Sequence, residues 1–246
     1  MLKNDSFLIK KTRCPRCASL GKDTSKDNLA IYSDSHEWCY SCGFYKKGNK
    51  IKQLQQLPKK ELEVVLPLDC SFDYPQRALQ WIEQYGLSRT DLLAHRVMWS
   101  DWSQRLYFPI FAESGLLAYQ GRYFGTEKKP KWWGQGDLKN VHHYLLTPNP
   151  DNSIILCEDI VSAIKIQKVG HNSMPLFGSH IDFKRLSRLS KRFSKVGIYL
   201  DPDKRKEAVK FAQLGKSIGL DCYVIFSDKD PKEESYDCLS RLLQKV

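Results

Sequence analysis

The C-terminal part of the chain, residues 151–246, alternates short apolar runs with longer segments of helical spacing. The apolar runs are IILC, MPLF, VGIYL and CYVIF, and they are followed by IVSAIKIQKVG, FKRLSRLSKRF, KRKEAVKFAQLGKSIG and EESYDCLSRLLQKV. Strands and helices in such alternation build a parallel sheet with helices on both faces. We therefore predict an α/β domain over residues 151–246.

Acidic residues follow three of the predicted strands. Glu158 follows IILC, Asp201 and Asp203 follow VGIYL, and Asp228 and Asp230 follow CYVIF. The carboxyl ends of parallel strands form the edge at which ligands bind. Like charges that lie close together are unfavourable unless a cation or a proton offsets them, and two Mg²⁺ ions would offset these charges. Two such ions would also bind the attacking and leaving oxygens of a phosphoryl displacement. The alternative for Asp201 is a helix cap, because Asp favours that position and Pro202 suits a first helical turn.

Four of the eight cysteines form two CxxC pairs near the N-terminus. They are Cys14 and Cys17 in CPRC, and Cys39 and Cys42 in CYSC. Thiolates separated by two residues on a tight turn can bind one tetrahedral zinc ion, so we predict that all four are structural zinc ligands. The intervening NLAIYSDSHEWCY predicts a hairpin that leads into the second pair. A redox-active pair is the alternative, but the strand–helix pattern around such a pair is missing here.

The middle of the chain predicts a linker followed by a basic subdomain. Residues 50–75 carry three prolines and no sustained period, which indicates a linker with one short strand at Glu63–Leu66. Residues 76–150 begin with two short helices, the first ended by Gly86 and the second capped by Ser88, and continue with a hairpin. The segment GRYFGTEKKPKWWG interleaves basic and aromatic residues, which favours phosphate contact and base stacking. The alternative is an exposed charged loop whose rings belong to the core.

The composition favours a nucleic-acid partner in a reducing compartment. The formal net charge of +11 indicates an anionic partner. No apolar run approaches the roughly 18 residues of a membrane span, so we expect no membrane partner. The N-terminal MLKNDSFLIKK is too polar for a secretory signal, and the scattered remaining cysteines do not suggest a disulfide framework. These features predict a cytoplasmic protein.

The order of these features resembles the bacterial and phage DNA primases. EDIVSAIK, LDPD and SDKDPKE in an alternating sheet resemble the Toprim fold, in which a Glu follows one strand and an Asp-x-Asp a later one. RLYFPIFAESGLLAYQGRYF with KPKWWG is similar to the basic subdomain that precedes Toprim in primases. The four-cysteine module with SDSHEWCYSC is similar to the zinc module of phage primase–helicases. The resemblance implies a β-rich zinc ribbon (1–49), a linker (50–75), an α+β basic subdomain (76–150) and a Toprim-type α/β domain (151–246).

The resemblance implies an enzyme that synthesises short RNA primers on single-stranded DNA from ribonucleoside triphosphates. It implies two catalytic Mg²⁺ or Mn²⁺ ions at Glu158, Asp201 and Asp203, with Asp230 nearby and Glu158 as ligand or base. The residues implied for nucleotide and template contact are Arg105, Arg122, Lys128 and Lys131, and those implied for reading template bases are Asp34, His36 and Trp38. LGKS lacks the first glycine of a P-loop, so we expect a replicative helicase on a separate chain, or a longer polypeptide of which this is the front piece. A phage origin would place the protein in the host cytoplasm.

The chain departs from many of these relatives at two positions. Ser162 stands where relatives have an acid four residues after the Glu, and Lys232 replaces the second acid of the last motif. The number of bound metal ions is therefore open. Three other functions fit part of the sequence: a recombination mediator that clamps DNA through a zinc site and Toprim without catalysis, a Toprim nuclease, and an inactive primase. The mediator usually has a helix-hairpin-helix before its zinc site, and the nuclease needs no template-reading module.

Overall fold

The structure, a computed structural model, describes residues 7–48, 63–112, 115–148 and 152–244. Contacts divide the chain into two compact units, residues 1–62 and 63–246. This division falls inside the predicted linker 50–75, of which residues 50–62 lie outside the described residues. Within the described ranges, no helix is both long enough and apolar enough to cross a membrane.

The first unit contains a four-stranded antiparallel sheet and one short helix. Its elements are β1 (Leu8–Thr12), α1 (Pro15–Ser19), β2 (Leu29–Tyr32), β3 (Glu37–Cys39) and β4 (Tyr45–Lys46), and the strands are neighbours in chain order. Strands β2 and β3 pair with Leu29 opposite Cys39, which confirms the predicted hairpin. The buried cluster of this unit consists of Leu29 and three cysteines, Cys14, Cys17 and Cys39. So small a core needs a further stabilising element such as a metal.

The second unit begins with two helices and an antiparallel sheet. The elements are α2 (Gln76–Glu83), α3 (Arg89–Ala94), β5 (Met98–Ser100), β6 (Arg105–Ala112), β7 (Gly115–Tyr123) and β8 (Trp132–Gly136), with the strands again in chain order. Gly86 has φ +75° just after α2, and Ser88 begins α3 in a capping box with Asp91, as the sequence predicts. Strands β6 and β7 form the predicted hairpin.

The end of the predicted linker is packed against this sheet. Ser71 and Trp99 exchange two backbone hydrogen bonds of 2.8 Å, and the buried Tyr74 donates its hydroxyl to the Val97 carbonyl at 2.6 Å. The strand predicted at Glu63–Leu66 is not formed. The sequence of this segment does not predict the packing, because the residues that the segment contacts lie more than twenty positions further along the chain.

The last part of the second unit is a parallel sheet. Its strands are β9 (Ser153–Cys157), β10 (Ser173–Pro175), β11 (Lys195–Ile198) and β12 (Asp221–Val224), in the sheet order β10-β9-β11-β12. Helices α4 (Ile160–Lys168), α5 (Phe183–Leu189), α6 (Arg205–Ser217) and α7 (Tyr236–Leu243) alternate with them. All three strand pairs are parallel, so the predicted alternation is confirmed. A Cβ at Gly197 of β11 would lie 2.6 Å from Ile155 Cδ1, which explains a glycine in this strand.

Two buried clusters cover the two faces of the parallel sheet. On one face, Ile155 of β9 packs in a cluster with Ile164 of α4, Leu239 of α7 and Ile82 of α2. The cluster on the other face contains residues from β9, β11, α5 and α6, namely Leu156, Val196, Ile198, Leu186, Leu189, Ala208 and Ala212. Helices therefore lie on both faces, as predicted. Residues 76–150 and 151–246 share one core, so the carboxyl edge of the sheet adjoins the basic segment.

Candidate functional site

Four cysteine side chains meet in the first unit. The Cys14 and Cys42 sulfurs lie 3.7 Å apart, as do those of Cys17 and Cys39, and all four sulfurs lie within 4.8 Å of one another. These distances are too long for disulfide bonds. They match the edge of about 3.8 Å expected for a tetrahedron of sulfurs bound to zinc at 2.3 Å. The donor set predicted from the sequence therefore fits a structural zinc ion.

Short elements on either side position these sulfurs. Helix α1 begins directly after Cys14 and carries Cys17, whereas Cys39 ends β3 and Cys42 lies in the following turn. The backbone N–H of Cys14 donates to Asp23 Oδ2 at 2.6 Å, and Asp23 is buried. A buried carboxylate that orients a ligand's backbone gives the cluster an outer layer of support.

The predicted base-reading residues lie on the β2–β3 hairpin. His36 Nδ1 lies 2.5 Å from Asp34 Oδ1, and the His36 ring stacks on Tyr32 with a centroid distance of 4.1 Å. Trp38, 41% exposed, and His36 both lie near the Tyr45 ring, at centroid distances of 6.2 and 6.1 Å. Exposed rings beside polar groups can stack on bases and hydrogen-bond to them. The structure thus brings these side chains onto one hairpin of the first unit.

In the second unit, three of the predicted carboxylates line one cavity of about 460 Å³. Glu158 follows β9, Asp201 follows β11 and Asp230 follows β12, and these strands are consecutive in the sheet. Their carboxyl ends therefore form one continuous edge. Glu158 Oε1 accepts a hydrogen bond of 3.2 Å from the Asp201 backbone N–H, which links two of the three strand ends directly.

The charges of Glu158 and Asp201 are poorly compensated at this edge. Burial raises the pKa of Glu158, and the charges of Asp203 and Asp230 raise it further. Burial, together with the charges of Glu158 and Asp230, raises the pKa of Asp201 to about 7. Asp201 Oδ1 is buried and accepts no hydrogen bond from any described residue, and the side chain does not cap the following helical turn. A divalent cation would relieve this charge and use these oxygens as ligands, so the residues present fit Mg²⁺ or Mn²⁺.

Lys232 lies between two other carboxylates of the same cavity. Its Nζ is 2.9 Å from Asp159 Oδ2 and 2.6 Å from Asp230 Oδ2. Asp159 also caps α4 by accepting hydrogen bonds from the backbone N–H groups of Val161 and Ser162, and it accepts one from the Ser162 hydroxyl. The two positions at which this chain departs from the primase pattern, Ser162 and Lys232, thus both contact Asp159.

Arg122 and Lys131 of the basic segment line this cavity as well. The Arg122 guanidinium lies over the rings of Trp81, Phe124 and Trp132, at 5.3, 5.7 and 5.7 Å from their centroids. Its Nε and Nη1 atoms are buried and donate to no described acceptor. Rings thus hold a planar cation whose remaining donors suit an anion such as a phosphate group.

Two of the predicted basic contacts lie elsewhere. Arg105 is buried, and its guanidinium donates to the Gly121 and Pro130 carbonyls at 3.0 Å while lying over the Tyr123 ring. It therefore holds the antiparallel sheet together and does not line the cavity. Lys128 is exposed in the loop between β7 and β8, also outside the cavity lining.

Two of the acidic residues after the strands also lie outside the cavity lining. Asp203, with 70% of its side chain exposed, pairs with Lys204 at 2.8 Å. Asp228, with 96% exposed, pairs with Arg205 at 2.6 Å. Asp203 is nevertheless close enough for its charge to raise the pKa of Glu158. The acidic edge thus has an inner group that lines the cavity and two exposed acids outside that lining.

Trp81 and Lys232 line the cavity although the sequence did not single them out as site residues. Trp81 lies on α2, and its contact with Arg122 joins segments whose spacing carries no signal of proximity. For Lys232, the signal was the lysine in DPKE at a position where an acid was expected.

No protein-family model and no curated protein matches the chain, but solved structures do. The zinc-binding and RNA polymerase domains of the Aquifex aeolicus primase align over 97% of this chain and 80% of their own, with a TM-score of 0.57 and 17% identity. The primase fragment of the bacteriophage T7 primase-helicase protein aligns over 97% and 99%, with a TM-score of 0.51 and 16% identity. The DnaG primase catalytic domain bound to ssDNA aligns over 71% and 74%, with a TM-score of 0.56 and 14% identity.

The chain is therefore a two-unit α/β protein with a cysteine cluster in its smaller unit and an acidic strand edge in its larger one. Its fold is that of the zinc-binding and polymerase domains of DNA primases, which confirms the fold class and the resemblance predicted from the sequence.

Proposed function

We propose that this protein is a DNA primase, which synthesises short RNA primers on single-stranded DNA from ribonucleoside triphosphates. One observation carries the proposal: Glu158 and Asp201, poorly compensated acids, share a cavity with Arg122, whose guanidinium has two donors without a described partner. Carboxylates for divalent cations beside a fixed guanidinium suit a nucleoside triphosphate, which brings both a cation and phosphates. The primase fold gives that cavity its context, and the similar DnaG domain was solved bound to ssDNA.

The acidic edge would supply the catalytic groups. Glu158 and Asp201 would hold Mg²⁺ or Mn²⁺, with Asp203 outside the cavity lining and Asp230 beside them. Bound divalent ions neutralise phosphate charge during nucleotidyl transfer, in which a 3′-hydroxyl attacks the α-phosphorus and pyrophosphate leaves. The hydroxyl proton would pass to solvent, because Glu158 would be a ligand of the ion.

The basic wall would bind the nucleotide. Arg122 lies over the rings of Trp81 and Trp132, which restrict its guanidinium, and it would donate to phosphate oxygens. Lys131, exposed at the cavity, would add a flexible positive charge. Lys128, exposed on the same loop as Lys131, would contact the template backbone. Arg105 has no part in this proposal, because its donors are bound to backbone carbonyls.

The first unit would read the template. Zinc held by the four cysteines would stabilise its small sheet, since a core of this size is marginal without it. Asp34, His36 and Trp38 on the hairpin would contact the bases of a short template sequence, through hydrogen bonds and stacking.

Incubation with a single-stranded DNA library, labelled ribonucleotides and Mg²⁺ tests the proposal. Labelled oligoribonucleotides that depend on the template are the expected product. Shortened DNA would indicate a nuclease instead, and a mobility shift of DNA without any new product would indicate a binding protein. Either of these two results would contradict the proposal.

A further inference from the structure

The ammonium group of Lys232 occupies a sheltered position at the acidic edge. Its Nζ lies 2.9 Å from Asp159 Oδ2 and 2.6 Å from Asp230 Oδ2, distances typical of charge-assisted hydrogen bonds. The side chains of Lys232, Asp159 and Asp230 are 17%, 21% and 18% exposed. Solvent and salt screen such a group far less than they screen a surface ion pair.

The backbone of Lys232 is held in place by a second lysine. Lys165 of α4 is buried, and its Nζ donates to the Lys232 carbonyl at 2.8 Å and to the Glu234 carbonyl. The same ammonium lies 5.2 Å from the centre of the Tyr236 ring. Pro231, which is also buried, restricts the chain just before Lys232. The turn that presents Lys232 is therefore anchored at several points.

Lys232 divides four of the five carboxylates that line the cavity into two pairs, and the fifth, Glu233, is exposed. Asp159 and Asp230 are ion-paired with it, whereas Glu158 and Asp201 form no ion pair with any described residue, although the Lys232 charge partly offsets the rise in the pKa of Asp201. Of these two pairs, Glu158 and Asp201 are the one left to bind a divalent ion.

We infer that the Lys232 ammonium takes the place of one of two divalent ions, so that the site binds a single Mg²⁺ or Mn²⁺ through Glu158 and Asp201. The inference rests on the proposed function in one respect, namely that this edge binds a divalent ion at all. A second ion would have to displace the ammonium from Asp159 and Asp230, because two cations at the same carboxylates repel each other. Lys232 is thus a positioning residue that sets the number of metal ions.

The number of Mn²⁺ ions bound by the zinc-loaded full chain tests this inference. Mn²⁺ binding is measured from the loss of the free-ion signal in electron paramagnetic resonance. We expect one Mn²⁺ per chain for the natural sequence and two for Lys232→Asp, because the new carboxylate would join Asp159 and Asp230. The second ion would lie close to the first and broaden its bound signal. Lys229→Asp, the same change of charge at an exposed position of the same loop, should still bind one.

A second variant covers the case in which Lys232→Asp does not fold, as judged by circular dichroism. Lys232→Met keeps most of the side-chain length and removes the charge, and it too should bind two Mn²⁺ ions. Two Mn²⁺ ions on the natural chain would overturn the inference, and so would a single Mn²⁺ ion on every Lys232 variant that folds. Neither result would contradict the primase proposal. A chain that binds no Mn²⁺ and makes no primers would overturn the proposed function and the inference with it.

Discussion

Glu158 accepts a hydrogen bond of 3.2 Å from the backbone N–H of Asp201, a residue 43 positions further along the chain. The two residues follow β9 and β11, which pair directly in the parallel sheet. The sheet therefore brings these acids together before any ligand arrives, and Asp201 has a buried oxygen without a partner among the described residues. This acid pair is the centre of the proposed site.

Replacing Asp201 should abolish primer synthesis while leaving DNA binding nearly intact. The Asp201→Asn variant keeps the size of the side chain and removes the charge that holds a divalent ion, so we expect a loss of about 100-fold or more in primer formation. The yield of labelled primers measures primer synthesis, and fluorescence anisotropy with single-stranded DNA measures DNA binding. Asp228→Asn, at an exposed residue paired with Arg205, is the matched control and should stay fully active. Primer synthesis by Asp201→Asn at the normal rate would remove this residue from the site.

The stability of the zinc-loaded protein without Mg²⁺ should depend on pH through Asp201. Burial, together with the charges of Glu158 and Asp230, raises its folded-state pKa to about 7 from an ordinary 3.8, so the folded chain retains a proton that the unfolded chain has already released. This group therefore destabilises the fold progressively as the pH rises from about 4 to 7, and fully above that range. Urea unfolding should show the Asp201→Asn variant gaining stability over the natural chain across this range. Bound Mg²⁺ should reduce this gain in stability. A difference in stability between the variant and the natural chain that does not change with pH would contradict the raised pKa of Asp201.

Loss of one cysteine should remove zinc from the first unit. In Cys39→Ser, three thiolates remain, and an incomplete ligand set binds zinc far more weakly. We expect the zinc content measured by atomic absorption to fall from one per chain towards zero, with loss of primer initiation. Cys238 lies outside the cluster, so the Cys238→Ser variant is the control and should retain one zinc ion per chain. An unchanged zinc content in Cys39→Ser would argue against the ligand set.

The guanidinium of Arg122 should be needed for nucleotide binding in a way that a lysine cannot replace. Lysine keeps the positive charge in Arg122→Lys but lacks the planar fork that lies over the rings of Trp81 and Trp132. We expect the KM for ribonucleoside triphosphates to rise about tenfold, which corresponds to about 1.4 kcal/mol. Arg96→Lys, an exposed arginine stacked on Phe111, should leave the KM unchanged. An unaltered KM in Arg122→Lys would separate this residue from the nucleotide.

The hairpin of the first unit should determine which template sequence starts a primer. His36→Ala removes a ring that contacts Asp34 and stacks on Tyr32, so discrimination between templates should weaken by about 1–3 kcal/mol for the base involved. Sequencing of primers made on a randomised template measures this change, and the zinc content should not alter. His180→Ala, an exposed histidine of the second unit, should leave the preference intact. An identical preference in His36→Ala would exclude this residue from base reading.

Much of the second unit follows from the pattern of apolar residues. The runs IILC and VGIYL become β9 and β11, and since the ends of neighbouring parallel strands must meet, Glu158 and Asp201 could be placed together. In the first unit, the spacing of the CxxC pairs sufficed to predict the cluster that includes Cys14 and Cys39. In both units, local patterns carried the information.

The side-chain contacts could not be predicted in the same way. The first six residues of β6, beginning with Arg105, are all buried. The strand therefore lacks the alternation of apolar and polar residues from which the inward direction of the Arg105 side chain could have been predicted. The contact between Lys232 and Asp159 joins residues 73 positions apart, and its geometry depends on the anchored turn as well as on the sheet. For these residues, only the packed structure decides which charges meet.

The order of the parallel strands has a consequence for the variability of related chains. After β9 the chain runs through α4 to β10 at the outer edge of the sheet, and it returns as β11 on the opposite flank of β9. This part of the chain does not lie between β9 and β11, the strands that Glu158 and Asp201 follow. Insertions or deletions in its surface loops would enlarge or trim one rim of the domain and leave the spacing of the two acids untouched.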